Sequence, residues 1–331
     1  MPFRLKVFTI ILTLLVVLMV VVPLVVPIQP PPGVRPLAEV AGPDATYVEV
    51  LGVDLHVVRE PRQPVADART ALLLHGFPSS TYTFDELAPA LAERGFNTVA
   101  VDLPGFGLSE RPQPPDFDGG LDPYTPEAQV RLMTALLAEL EVDSAVIVGN
   151  GSGARLALDL ALTEPDVVDA LVLIGGTLSA APGRSWLGDL VMNSPQMQRL
   201  GPVFLRQLAD EPGVDLVRRG WADPSAIDDE TYQAYHRAFT IEGWDTALWQ
   251  MNKAEAPVPL FGAVGGVTAP ALVLAGTDDR TVPASESELI ADELPNATLR
   301  LLEGCGHFAQ EECPDLVLDA IDEWLPVLRE P

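Results

Sequence analysis

The chain has 331 residues, 48% of them hydrophobic, enough for one large α/β domain with an insertion or for two small domains. Its 47 acidic residues against 20 basic ones leave a formal net charge of −27, which sets nucleic acid aside as a partner, because phosphate binding needs concentrated Lys and Arg. Acidity of this kind reads as a solvated, self-repelling surface and identifies no substrate by itself.

After Arg4 and Lys6, residues Val7 to Ile28 carry no charge and consist almost wholly of Val, Leu and Ile, interrupted late by Pro23 and Pro27. A bilayer core needs about 20 such residues, more than the apolar region of a signal peptide. The expectation is a retained transmembrane anchor, with a cleaved signal as the alternative. Pro30-Pro31-Pro32-Gly33 follows as a stiff extended spacer. The positive charges precede the apolar run, so the remainder of the chain is placed outside the cytoplasm, or secreted if the signal is cleaved.

Tyr47 to Glu60 alternates around Gly52-Val53-Asp54, the pattern of a β-hairpin opening the folded domain. Ala71 to Leu74 is a buried strand that runs into His75-Gly76-Phe77-Pro78, and a helix follows over Phe84 to Arg94. Asn97 to Val101 is the next strand, leading into Asp102-Leu103-Pro104-Gly105-Phe106-Gly107-Leu108-Ser109. Pro126 to Glu141 is helical, with Pro where the first turn tolerates it. Ala145 to Val148 is again a strand, and Arg155 to Leu162 carries apolar residues at helical spacing. Only Gly149-Asn150-Gly151-Ser152-Gly153 separates the two, so the chain bends sharply, and small residues let the helix start pack against the strand.

The strand Ala170 to Ile174 comes next. From 177 to 268 the alternation gives way to helical segments rich in Trp, Met, Arg and Pro, read as an inserted cap. The sheet resumes at Ala271 to Ala275 with Gly276-Thr277-Asp278-Asp279, then a helix from Ser285 to Glu293, the strand Thr298 to Leu302, Gly304-Cys305-Gly306-His307 and a final helix from Pro314 to Leu328. Strands alternating with helices imply a mostly parallel sheet covered on both faces, with ligands bound beyond the carboxyl ends of the strands. The division is 1–35 anchor and spacer, 36–176 and 269–331 core, 177–268 cap. Cys305 and Cys313 lie eight apart without metal-ligand spacing and are expected as two small buried thiols; a disulfide would need their Cα atoms within about 7 Å.

An elbow, an acid and a histidine, in that order and each at the end of a predicted strand, resemble the α/β-hydrolase family. The likeness spans roughly Tyr47 to Leu328. It rests on H-G-F-P at 75–78, D-L-P-G-F-G-L-S at 102–109, G-T-D-D-R-T-V-P at 276–283 and G-C-G-H-F at 304–308. The resemblance implies an eight-stranded, mostly parallel α/β-hydrolase sheet with a helical cap. It implies His307 as general base, Asp279 as the acid that orients it in preference to Asp278, and Phe77 as a backbone oxyanion donor. The H-G-x-P form and the cap tyrosines are weakly similar to epoxide hydrolases and haloalkane dehalogenases, whose chemistry needs a carboxylate at position 151, where this chain has none.

The family pattern small-x-nucleophile-x-small aligns as Gly149-Asn150-Gly151-Ser152-Gly153, which puts Gly151 at the nucleophile position and the Ser152 N–H as second oxyanion donor. A register shifted by one makes Ser152 itself the nucleophile, with Asn150 where close packing wants a small residue. Three readings follow: Ser152 attacks, or His307 activates a water in the space at Gly151, or the chain is a pseudo-hydrolase that binds a ligand or a partner. The function expected is hydrolysis of a small or lipophilic ester-like substrate. Trp186, Tyr232, Tyr235, Trp244 and Trp249 are candidates to line the pocket, while His56 and His236 read as surface or structural. No Walker loop, Rossmann glycine pattern or metal cluster is present, so neither cofactor nor metal is expected; protein partners stay open.

Overall fold

The computed structural model describes residues 3–114, 117, 121–180, 184–209, 211–254 and 257–329. Eight strands form a single sheet: β1 (Tyr47–Val50), β2 (Val53–Glu60), β3 (Thr70–Leu74), β4 (Asn97–Val101), β5 (Ala145–Asn150), β6 (Val168–Ile174), β7 (Ala271–Gly276) and β8 (Ala297–Leu302). Their spatial order is β1-β2-β4-β3-β5-β6-β7-β8. β2 pairs antiparallel with β1 and β4, and all pairs from β4 to β8 are parallel. The hairpin, the crossovers and the eight-stranded fold class thus match the sequence reading.

The parallel strands read as continuous apolar runs because both of their faces are covered. Before the first strand lie α1 (Phe3–Val25) and α2 (Leu37–Ala41), and within the sheet region α3 (Leu87–Glu93), α4 (Pro126–Glu139) and α5 (Ser152–Thr163). Among the described residues, five α-helices lie in the insertion between β6 and β7: α6 (Trp186–Met192), α7 (Pro195–Leu205), α8 (Glu211–Gly220), α9 (Asp229–Arg237) and α10 (Trp244–Lys253). The core closes with α11 (Ala284–Glu293), α12 (Ala309–Glu312) and α13 (Pro314–Trp324). Leu72 and Leu74 of β3 pack on the face covered by Leu132 and Leu136 of α4, Leu156 and Leu160 of α5 and Ile290 of α11. Leu73 points the other way, toward Leu87 and Leu91 of α3 and Val317, Ile321 and Trp324 of α13.

Three local readings change. The helix expected from Phe84 begins only at Leu87, because Thr81–Phe84 forms a 3₁₀ turn whose Ser80 side chain accepts from the Tyr82 N–H. The folded domain starts ahead of Tyr47: the Arg35 N–H donates to the Thr240 carbonyl at 2.9 Å, and Val40 of α2 packs with Leu108 and Ile241. Cys305 and Cys313 form a disulfide rather than two thiols, with Cα atoms 6.1 Å apart. The turn carrying His307 and the short helix α12 folds the chain back within bonding reach, which spacing alone could not reveal.

Helix α1 is long and apolar enough to cross a membrane over Val7–Val25, with a mean hydropathy of 3.0 and none of that span buried.

Candidate active site

The bend between β5 and α5 places Gly151 at its tip, at φ +54° and ψ −113°. Positive φ is the region where a Cβ clashes, so glycine carries this turn without strain. A Cβ built on Gly151 would lie 2.8 Å from His307 Nε2 and 3.3 Å from Cε1. Gly149 and Gly153 are held tight: a Cβ on either would meet backbone at 2.4 Å or 2.0 Å. These contacts explain the small residues at both flanks, since helix α5 packs directly on the end of β3.

His307 is buried at 4% exposure and is held at three points. Its Nδ1 lies 2.8 Å from Asp279 Oδ2, its N–H donates to the Gly220 carbonyl at 2.6 Å, and its carbonyl accepts from Asn150 Nδ2 at 2.9 Å. The other Asp279 oxygen accepts from the N–H groups of Thr281 and Val282 at 2.7 and 2.8 Å. With both oxygens committed the carboxylate cannot rotate, and Nε2 is left facing Gly151. Asp278 is exposed and bonds through its N–H to Cys305, so Asp279 is the residue brought to the histidine. Gly175, at φ +58°, closes the ring's other side: a Cβ there would stand 2.9 Å from Nδ1.

Ser152 is the first residue of α5, and its N–H belongs to the helix turn that has no intrahelical acceptor. Its Oγ accepts from the Phe77 N–H at 3.1 Å. Phe77 and Ser152 therefore sit side by side across from Gly151, and the Ser152 hydroxyl is directed at Phe77 rather than at His307.

Behind this front, burial pushes the His75 imidazole below its ordinary range, and its Nε2 accepts from the Leu103 N–H at 3.0 Å. Asp102 gathers the Thr81 N–H, the Leu108 N–H and His56 Nδ1 at 2.6, 2.8 and 2.8 Å. Burial alone would raise that carboxyl, but the His56 bond and the bond from the Leu108 N–H help hold it below the usual range. His56 is thus a structural partner of Asp102.

The cap cavity has a volume of about 160 Å³ and is walled by Leu208, Val217, Tyr232, Tyr235, His236 and Phe239. A narrow cleft shares Leu208, Val217, Tyr235 and Phe239 with it and reaches Phe77, so the cavity leads toward the Phe77 end of the elbow. Of the five aromatic candidates, Tyr232 and Tyr235 line this cavity. Trp244 and Trp249 are buried within the cap, against Phe239 and Gly201, and Trp186 is 78% exposed on its outside.

Three contributors lie outside the motifs, and a fourth, Asn150, lies within the elbow without a role of its own in the sequence reading. Asn150 ties the elbow to the His307 carbonyl and Gly175 packs on the ring, while Glu311 and Glu312 on α12 join the histidine turn to the cap. Glu312 accepts from the N–H groups of Gly306, Ala222 and Asp223 at 2.7, 3.1 and 2.8 Å. Glu311 accepts from Tyr235 Oη at 2.7 Å and from Thr83 Oγ1. Gly175 sits at a strand end, as the elbow glycines do, and that was its available signal; the glutamates had none.

A family model described as the alpha/beta hydrolase fold matches residues 71–314. An uncharacterized hydrolase, YugF, of Bacillus subtilis (strain 168) is 28% identical, over 78% of this chain and 90% of its own. A 2-hydroxy-6-oxononadienedioate/2-hydroxy-6-oxononatrienedioate hydrolase of Dechloromonas aromatica (strain RCB) is 31% identical, over 82% of this chain and 93% of its own. Among solved structures, a membrane phospholipase A superposes with a TM-score of 0.68 at 22% identity, covering 100% of both chains, a likeness of fold.

Proposed function

The chain belongs to the alpha/beta hydrolase fold family, and from that premise we propose that it is a membrane-anchored hydrolase of small or lipophilic ester-like substrates, in which a water replaces the attacking side chain. The observation that carries this reading is the 2.8 Å between the Cβ position of Gly151 and His307 Nε2. The volume that a nucleophile's side chain would fill faces an oriented base and has no reacting atom of its own. His307 takes a proton from a water there as the water oxygen bonds to the substrate carbonyl carbon. The N–H groups of Phe77 and Ser152 hold the resulting oxyanion, and the protonated ring returns the proton to the leaving alkoxide. Hydrolysis then passes through one tetrahedral intermediate and no acyl-enzyme. The relative named for a 6-oxo substrate supports attack at a carbonyl centre.

Dispensing with an attacking serine costs on the order of 10⁶ in turnover, with about 10³ to 10⁴ over water retained from binding and the oxyanion hole. Slow turnover is therefore expected. Anchoring through α1 is supported by its length and hydropathy. A domain outside the cytoplasm is supported by Arg4 and Lys6 preceding the apolar run and by the Cys305–Cys313 disulfide, a bond that persists in oxidising compartments.

One observation favours a pseudo-hydrolase instead: the Ser152 hydroxyl occupies the Phe77 N–H, one of the two oxyanion donors. A panel of chromogenic esters with a fluorophosphonate probe separates the readings. Turnover without a burst or an adduct, abolished in His307→Ala, is the expected result. An adduct on Ser152 that disappears in His307→Ala would make the chain a serine hydrolase. No turnover by folded protein, with ligand binding intact in His307→Ala, would leave the binding role.

A further inference from the structure

The cap's outer surface differs from the rest of the molecule. On α6, Trp186, Leu187, Leu190 and Val191 occupy positions i, i+1, i+4 and i+5, one side of the helix, and all four are exposed, Leu190 at 63%. Phe204 of the adjoining α7 adds a further exposed ring at 58%. Soluble surfaces tolerate scattered apolar residues, but a row led by a Trp marks a binding surface.

The α6 row packs beside α7, and α7 in turn contacts α1. Gln196 Nε2 of α7 donates to the Val20 carbonyl at 3.3 Å, and the Arg199 guanidinium donates to the carbonyls of Leu24 and Val26, the latter at 2.9 Å. The last carbonyls of a helix have no intrahelical donor and carry the negative end of its dipole, so Arg199 caps α1 there. Helix α7 is thereby fixed at the end of the apolar span, where a bilayer surface would lie.

We propose that the α6–α7 face of the cap lies on the surface of the lipid bilayer that α1 spans, with the α6 row seated among the headgroups and upper acyl chains. The occupant is lipid, because α6 packs on α7, and α7 is bonded to the last carbonyls of a helix long and apolar enough to span a bilayer. Leu208 and Ala209, just beyond α7, line the cap cavity, so the same docking brings one wall of that cavity toward the membrane and favours substrates dissolved in it. The inference rests on the anchor reading and adds to it an orientation.

Trp186 reports on this face directly, since the other four tryptophans, Trp221, Trp244, Trp249 and Trp324, are buried. The full chain is reconstituted in vesicles of phosphatidylcholine and phosphatidylglycerol with brominated acyl chains, and its emission is compared with that of Trp186→Phe. Carbonate washing reads insertion of α1 independently. The expected result is retention after washing, with quenching that is lost in Trp186→Phe and weakened at least twofold in Leu190→Glu. Retention with Trp186 quenched by aqueous iodide and not by bromolipid would overturn the docking and leave the anchor standing. Shielding from both quenchers would mean that a second copy covers the face, and would overturn it too. Release by carbonate would remove the anchor reading, and the docking with it.

Discussion

The Cβ position of Gly151 lies 2.8 Å from His307 Nε2, and the turn at 151 holds φ at +54°, so a short side chain there would meet the imidazole. Installing Ser at 151 should therefore create an attacking group. The imidazole must give way by a few tenths of an ångström, and a non-glycine residue at this φ costs about 1–3 kcal/mol. Gly151→Ser is expected to lower the melting temperature modestly and to gain a stoichiometric fluorophosphonate adduct on residue 151, absent when His307→Ala is added. Failure of well-folded Gly151→Ser to label would mean that the His307 ring is not placed to serve this position.

Ser152 makes the complementary case. Its hydroxyl is bonded to the Phe77 N–H, whereas its own N–H is a separate group that a side-chain substitution leaves in place. Ser152→Ala should keep turnover within about tenfold of the parent chain, or raise it by releasing a donor that otherwise has to exchange partners. Steady-state kinetics on one ester decide the matter. A loss of a thousandfold or more would assign the attack to Ser152.

What was readable in the sequence was local or repeated. H-G-F-P, D-L-P-G-F-G-L-S and the Gly-rich turns each carry their backbone requirement within a few residues, and the order of strands and helices follows from apolar patterning, so the eight-stranded, mostly parallel sheet could be anticipated. The rest depends on contacts between residues far apart in the chain. Ser152 reaches Phe77 across 75 positions, Glu311 reaches Tyr235 across 76 and Glu312 reaches Asp223 across 89. Nothing near Glu311 or Glu312 distinguishes them from the many solvated acids of this chain. The cysteines were misjudged for a related reason, since their approach depends on the shape of the turn between them. The tryptophans of the cap divide into buried and exposed only once its helices are packed.

The disulfide bounds the segment that contains His307, Glu311 and Glu312. Closing a loop of this size restricts the unfolded chain by about 2–3 kcal/mol. Its loss should also loosen the turn that presents the imidazole to Gly151. The Cys305→Ala/Cys313→Ala variant is expected to melt at lower temperature and, still folded at 25 °C, to lose turnover several-fold through kcat rather than KM. Thermal scans with and without reductant on the parent chain should bracket the same difference. Parent and variant melting together would show that the bond contributes nothing to this turn.

Glu311 supplies a pH dependence with a definite sign. Burial raises its carboxyl to about 7 from an ordinary 4.5; nearby negative charge at Asp85 and Glu312 adds to the rise, and the bonds from Thr83 and Tyr235 oppose it. Below the unfolded value both states hold the proton, and the stability associated with a neutral Glu311 is fully present. Between 4.5 and about 7 the unfolded chain has released its proton while the folded chain retains it, so stability falls as pH rises, by about 3 kcal/mol once pH exceeds the folded value. Glu311→Gln removes the titration while keeping an oxygen for the Tyr235 hydroxyl. Denaturant melts from pH 5 to 8 should decline for the parent chain, with a flatter profile for Glu311→Gln and the variant the more stable of the two at pH 8. The bond to Tyr235 joins the histidine turn to the cap, so ionisation of Glu311 at higher pH should also loosen cap from core, read as faster proteolysis within the cap. Identical slopes for the two proteins would mean that Glu311 is charged in the fold and that its burial is compensated by its neighbours.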